Sequence, residues 1–341
     1  MEFRLLSLWF FLYFALVGSY AFEKVDLESY WHSVLPNTQF PKVLLNTLQP
    51  ATLIHEGKDT AIIGKDTLGL PNHSANTHVF PQLKNNENYG GNNKKYGGNN
   101  IDYGGSNHDS HGSPQDINVQ GYDHENVYFL ENDLRTGQKL KQRFPEPVSK
   151  AEFIPRKVAD TIPFSSKELP EILKRFAIEP RSVQAKIVEQ TIKECEQPAM
   201  EGESKFCATS PESLIDFSIS KLGKKVQVFT TKVNDNSKEP STLHQYKVAK
   251  GVKKIGESAV VCHRQNYMYA VFYCHKIKAT RAYMVSLVGA GGTRANAVAL
   301  CHRDTRLWNP QHVAFQILKV KPGTVPICHF VARNNLVWVP N

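Results

Sequence analysis

Four short apolar runs in the last third of the chain each break off at the same dipeptide. The runs are Ala259-Val260-Val261, Tyr269-Ala270-Val271-Phe272-Tyr273, Ala297-Val298-Ala299-Leu300 and Val325-Pro326-Ile327. They are short and rich in β-branched or aromatic residues, which predicts strands. Val127-Tyr128-Phe129-Leu130, Val226-Gln227-Val228-Phe229, Tyr246-Lys247-Val248, Tyr283 to Val288 and Val337-Trp338-Val339 read the same way. Arg135-Thr136-Gly137 marks a turn after the first of these. Helical spacing appears elsewhere. Leu169, Ile172, Leu173 and Phe176 share one face of a predicted helix over 168–176, with Ser166 as its cap. Ser182 to Ile192, with Val183, Ile187 and Val188 apolar, predicts a second helix. Pro211 to Leu222, stopped by Gly223, predicts a third. Asp26 to His32 and Asn309 to Val320 are shorter helix candidates. The pattern predicts an α+β body in which N-terminal helices come first and pack on a predominantly antiparallel β-sheet core.

The N-terminal third is organised differently. Arg4, the apolar run Leu5 to Val17 and the small residues at Ser19-Tyr20-Ala21 predict a cleaved secretory signal over residues 1–21. The other reading is a membrane anchor, but the run is shorter than the roughly 20 residues a bilayer span takes. Residues 22–45 form a compact segment in which Tyr30 and Trp31 can dock on the later domain, and Leu35-Pro36-Asn37-Thr38 is a turn. Residues 46–125 are a variable region, poor in apolar residues and rich in Asn and Gly. A seven-residue repeat starts there at Tyr89, Tyr96 and Tyr103, each followed by Gly-Gly, and extends over 89–107. Such composition predicts disorder. The repeat reads either as a flexible linker or as a substrate or adhesion segment with tyrosine as its recurring group. The folded domain is expected over residues 126–341.

The dipeptide that ends the four runs is Cys-His, at Cys262-His263, Cys274-His275, Cys301-His302 and Cys328-His329. Trp338 follows the last pair. The chain has six cysteines, the other two being Cys195 and Cys207. After secretion, in an oxidising compartment, an even count predicts full pairing into three disulfides, with connectivity left open. In a reducing compartment the same pairs would suggest zinc. Along a strand, successive side chains point to opposite faces. The cysteines can therefore staple one side while the histidines converge on the other. Asn72-His73-Ser74 is a single glycosylation acceptor on that route.

The formal net charge is +9 and the pI about 9.1. Secretion makes nucleic acid an unexpected partner despite that basic charge. The charge suits either a polyanionic wall polysaccharide such as pectin or simply a soluble basic surface. No membrane contact is expected after signal cleavage. The expected destination is extracellular.

The spacing of the four Cys-His pairs with Trp338 resembles the signature of the plant BURP domain. Tyr30-Trp31 with Leu35-Pro36-Asn37-Thr38 is similar to the segment that follows this family's signal peptide. Val127 to Leu134 is similar to the start of its domain. Ala159 to Ser166 and Tyr267 to His275 most resemble its dehydration-responsive branch. The resemblance implies two functional pictures. One is a cell-wall or extracellular structural or regulatory protein in stress response or development, with the protein storage vacuole as the alternative destination to the cell wall. The other is a copper-dependent cyclase that crosslinks aromatic side chains in its own N-terminal region. The chain lacks the Gln-Pro-x-Gly-Val-x-x-Trp core of one cyclase group, so crosslinking would fall on Tyr89, Tyr96 or Tyr103. Imidazole suits copper, which makes His263, His275, His302 and His329 its candidate ligands. Their alternative use is as hydrogen-bonded core groups. No catalytic residue is assigned.

Overall fold

A computed structural model describes residues 27–47, 127–144, 151–234, 244–289 and 292–341. The expected signal over 1–21, Asn72 and the repeat tyrosines Tyr89, Tyr96 and Tyr103 lie outside the described residues.

The strands form two sheets, and every ladder in them is antiparallel. The larger sheet runs β1 (Tyr128–Leu130), β12 (Ile327–Phe330), β11 (Arg294–His302), β10 (Thr280–Gly289), β6 (His244–Val248), β2 (Lys139–Gln142). Two short strands join it from the side: β5 (Lys232–Asn234) pairs with β11, and β7 (Lys253–Gly256) with β10. The smaller sheet runs β3 (Glu203–Ala208), β9 (Phe272–Ile277), β8 (Val260–Arg264), β13 (Leu336–Pro340), β4 (Val226–Phe229).

Alternation sorts the side chains into three layers. On β8, β11 and β13 the odd and even positions separate cleanly. Val261, Val298, Leu300, Val337 and Val339 meet between the sheets, joined by Ala282 and Val331. The opposite face of the small sheet carries Val260, Cys262, Cys274, Leu336 and Trp338. The opposite face of the large sheet carries Val285, Leu287, Ala297, Ala299, Cys301 and Cys328. The disulfides therefore face outward layers, and the residue after each cysteine faces the layer between the sheets.

Seven helices are described: α1 (Leu27–Val34), α2 (Lys42–Thr47), α3 (Arg156–Ala159), α4 (Leu169–Arg175), α5 (Val183–Glu196), α6 (Pro211–Leu222) and α7 (Val313–Leu318). α6 has the predicted bounds. Ser210 caps it by accepting from Ser213 N, and Gly223 ends it at φ 84°, a conformation that costs glycine little. α6 lies against β3, β8, β9 and β13, with α1 against α6. Its Leu214, Ile215 and Phe217 share a cluster with the outward face of the small sheet.

Several sequence expectations need correction. Helices do not simply precede the sheet: β1 and β2 come before α3, and β3 falls between α5 and α6. β3 escaped notice because it is an edge strand with a mostly polar sequence, as edge strands often are. The cap near α4 is Ser165, not Ser166. Its hydroxyl accepts from Lys167 N of a single 3-10 turn, and α4 itself has no side-chain cap. α5 runs on past Ile192 to Glu196, and Val183 at its start is 62% exposed rather than on the buried face. α7 is half the predicted length, because His312 caps it and Lys319 ends it in the left-handed region. The run Tyr269-Ala270-Val271 is not strand. Its Tyr269 and Val271 pack with Tyr267 beneath α4 and α5, Ala270 turns to the cluster on the outward face of the small sheet, and β9 begins only at Phe272. A short apolar run cannot by periodicity be told from a buried loop.

Candidate metal centre

Two disulfides sit at directly opposed positions of neighbouring strands. Cys262 is the register partner of Cys274 on β8 and β9. Cys301 is the partner of Cys328 on β11 and β12. In each case the following histidines lie on the other face, diagonal across the ladder. His263 stands opposite Tyr273, and His275 opposite Val261. His302 stands opposite Ile327, and His329 opposite Leu300. Each sheet thus builds the same device: a covalent cross-strand bond outside and an imidazole pair inside. Cys195 and Cys207 form the third disulfide, between α5 and β3, and none of the six cysteines is free.

His263 Nε2 and His275 Nε2 are 3.2 Å apart. His302 Nε2 and His329 Nε2 are 3.4 Å apart, with the rings stacked. Every Nδ1 is engaged from behind. His275 Nδ1 donates to Glu203 Oε1 at 2.9 Å, and Tyr273 OH donates to the same oxygen at 3.3 Å. The His302 Nδ1 and Thr280 Oγ1 atoms are 3.0 Å apart, on residues directly opposed in the β10–β11 ladder. His329 Nδ1 donates to Phe330 O at 3.3 Å. Asn335, 1% exposed, faces His263 Nδ1 with its Nδ2 at 3.2 Å, while its Oδ1 accepts from Arg264 N at 3.0 Å.

These contacts set the tautomers. The Arg264 N–H pins the Asn335 amide, so Asn335 Nδ2 donates to His263 Nδ1. The His263 hydrogen then sits on Nε2 and is donated to His275 Nε2. The first pair is a four-member chain, Asn335 to His263 to His275 to Glu203. In the second pair the Thr280 hydroxyl can donate or accept, so His302 is free to hold its hydrogen on either nitrogen.

Burial is the main electrostatic force here. It pushes the His263 pKa well below the usual histidine value, helped by the nearby His275 and His329. It lowers that of His329 to about 4, opposed by the Phe330 carbonyl and reinforced by His275 and His312. The neighbours named span both sheets, so the two pairs share one electrostatic environment. His312, 2% exposed, adds a fifth ring: it lies tilted against Trp308 with ring centroids 4.8 Å apart, and Trp308 lies 5.2 Å from the His302 ring. A cavity of about 290 Å³ opens alongside, lined by Met200, Glu203, Ile277, Lys278, Leu307 and Trp308 among others. Glu203 and Trp308 belong to both the cavity wall and the histidine cluster.

Among the described residues, no group of three or more His, Cys, Asp or Glu is arranged to hold a metal ion. The four expected ligands come together as two pairs. Each pair does fit two corners of a tetrahedral site. Two imidazole nitrogens about 2.0–2.1 Å from one metal stand roughly 3.3 Å apart. Buried, neutral rings with their far nitrogens hydrogen-bonded are the usual dress of metal-ligating histidine. His275 and His329 present a lone pair at Nε2 as they stand, and His302 does so after a turn of the Thr280 hydroxyl. His263 has to move its hydrogen to Nδ1, which requires the Asn335 amide to turn.

Sequence reasoning missed Glu203, Thr280, Trp308, His312 and Asn335. None follows a cysteine, and they come from an edge strand, a strand start and three loop positions.

This arrangement defines a disulfide-locked, two-sheet plant domain, and the chain belongs to the BURP-domain family, whose model matches residues 127–340. It is 47% identical over 228 residues to BURP domain protein RD22 of Arabidopsis thaliana, covering 64% of this chain and 57% of that protein. This similarity agrees with the branch expected from the sequence. The chain is also 47% identical over 228 residues to BURP domain-containing protein 3 of Oryza sativa subsp. japonica, covering 64% of this chain and 52% of that protein. It is 38% identical over 217 residues to Protein RAFTIN 1A of Triticum aestivum, covering 63% and 56% respectively. The aligned part is thus little more than half the length of these relatives.

Proposed function

We propose that this is an extracellular protein of the plant cell wall, structural or regulatory in stress response or development, whose paired histidines bind copper. The observation that carries the copper reading is the set of four imidazoles, each held at Nδ1, whose Nε2 atoms meet in pairs at 3.2 and 3.4 Å. The extracellular reading is supported by three disulfides that use all six cysteines, a pattern of oxidising compartments. The basic charge suits pectin or a similar polyanion as the wall partner.

Copper held between these rings would supply one-electron redox chemistry. The chain's own residues supply position. Glu203 fixes the plane of the His275 ring, and Thr280 that of His302. Two buried disulfides hold the strand registers that bring each pair together.

The test is copper stoichiometry on protein purified from a secretory host, for wild type and for His263→Ala, His275→Ala, His302→Ala and His329→Ala. Wild type is expected to retain copper through desalting, and each variant to retain less. Equal copper in all five proteins would make the histidines hydrogen-bonded core groups.

The cavity beside both pairs favours a second reading, autocatalytic crosslinking of the chain's own tyrosines at Tyr89, Tyr96 or Tyr103. Each crosslink removes two hydrogens, whose electrons go to an added oxidant such as dioxygen. Mass spectrometry of the 89–107 repeat after copper loading in air distinguishes the readings. An unchanged repeat mass leaves the structural or regulatory role.

A further inference from the structure

The domain matched to the family begins at residue 127, yet one wall of its core comes from residues 27–44. Trp31 is fully buried, 5.9 Å from the Trp338 ring and 5.7 Å from that of Phe40. Leu35 and Leu44 are buried to 1% and 0% exposure. These side chains share one cluster with Leu214, Phe217, Val260, Trp338 and the Cys262–Cys274 disulfide. The polar edge is matched as well. Trp31 Nε1 donates to Thr38 O at 2.8 Å, so burial of Trp31 leaves its own indole hydrogen bonded. Tyr30 OH donates to Asp216 Oδ1 at 2.7 Å, and Arg156 Nη2 to Asp216 Oδ2 at 2.6 Å, with the Arg156 guanidinium 5.6 Å above the Tyr30 ring. Thr38 Oγ1 donates to Lys224 O at 3.1 Å.

This is the anatomy of a protein–protein interface: an aromatic anchor in a pocket, aliphatic neighbours that exclude water, and a polar rim. No covalent bond ties the segment to that surface. The first cysteine of the chain is Cys195, and all six cysteines pair among themselves. Only the backbone through residues 48–126 joins the two.

We infer that residues 27–47 are a noncovalent subunit of the domain, held on the surface of α6, β4 and β13 by their own contacts. The chain is then pinned to the domain on both sides of the 48–126 stretch. One proteolytic cut in that stretch gives a two-chain protein with both pieces in place. Release of any part of the stretch takes two cuts. Loss of residues 27–47 uncovers Trp338 and the Cys262–Cys274 disulfide together.

The experiment inserts one site-specific protease sequence within residues 48–126 of the full secreted chain, cuts it, and runs the product on native size-exclusion chromatography. The fragment carrying 27–47 is expected to co-elute with the fragment carrying 127–341. Separation of the two, with the domain still folded by circular dichroism, overturns the inference. Trp31→Ala in the same cut protein is expected to weaken retention roughly a hundredfold or more. Equal retention of the Trp31→Ala fragment would show that the Trp31 contact does not hold the pieces together, and would overturn it equally. Deuterium exchange on the uncut and cut wild-type protein supplies a second reading. Amides of residues 31–44 are expected to stay protected after the cut, and their full exchange would overturn the inference.

Discussion

Cys262 and Cys274 are register partners across β8 and β9, and for that reason His263 and His275 meet on the opposite face. A one-residue slip of β9 against β8 would turn His275 into the outward core and Cys274 toward the layer between the sheets, away from His263 and Cys262. The disulfide forbids the slip. The same holds for Cys301 and Cys328 with His302 and His329. These bonds thus act as register pins for the site as well as staples for the fold.

The double variant Cys301→Ala/Cys328→Ala tests this. Its closed loop has a sequence separation of 27, for which the chain-entropy account gives a loss of roughly 3–4 kcal/mol. Urea unfolding should show that loss. Copper retention should fall even under conditions where circular dichroism reports a folded domain. A variant that loses stability but keeps full copper would show that strand pairing alone fixes the histidines.

Asn335→Asp should strengthen copper binding. An aspartate there accepts from Arg264 N as Asn335 does, and its second oxygen can also accept from His263 Nδ1. The ring hydrogen then moves to Nδ1, and Nε2 is left with a lone pair. Outer-sphere partners of ligating histidines change metal affinity by roughly 10–100-fold. Copper titrations of the two proteins measure it, and affinity no better than wild type would mean that Asn335 does not limit ligation.

Much of this site was readable in the sequence, for a simple reason. Adjacent residues on a strand face opposite ways, so each Cys-His dipeptide announces a sulfur on one face of its sheet and an imidazole on the other. The connectivity was not readable, because it depends on which strands become neighbours. Asn335 and His263 touch across a sequence separation of 72, and His275 and Glu203 across the same distance. No local pattern marks either partner. Trp31 shows the intermediate case: its burial was expected, whereas its partner Trp338 depended on the strand order of the small sheet.

Stability should fall as pH rises through the mildly acidic range, because of Glu194. Burial lifts its pKa from 4.5 to about 7, against the Gln190 hydrogen bond and the nearby Lys205 charge, which both lower it. A carboxyl group whose folded pKa exceeds the unfolded one binds more protons in the native state. Its contribution is fully present below about 4.5 and is lost as pH rises to about 7. Glu194→Gln should remove that slope. Urea midpoints at several pH values across that window, for wild type and variant, decide the matter. Parallel pH profiles would exclude Glu194 as the source.

Gly256→Ala should strain the contact between the two sheets. Gly256 lies on β7 of the large sheet, and Val339 on β13 of the small one. A Cβ at position 256 would sit 2.8 Å from Val339 Cγ1, 2.9 Å from Val339 Cβ and 3.1 Å from Ser258 O. The glycine is needed for space, since its φ is not in the left-handed region. Val339 belongs to the layer between the sheets together with Val261 and Leu300, and each of those two shares its strand face with a site histidine. Overpacking at such a contact costs about 1–3 kcal/mol. Val339→Ala alone should also destabilise, by leaving a void, but it removes the nearest clashing methyl. In the double variant the two losses should therefore add to less than their sum. Thermal unfolding of the two single variants and the double variant measures the coupling, and simple additivity would show that the sheets do not meet at this pair.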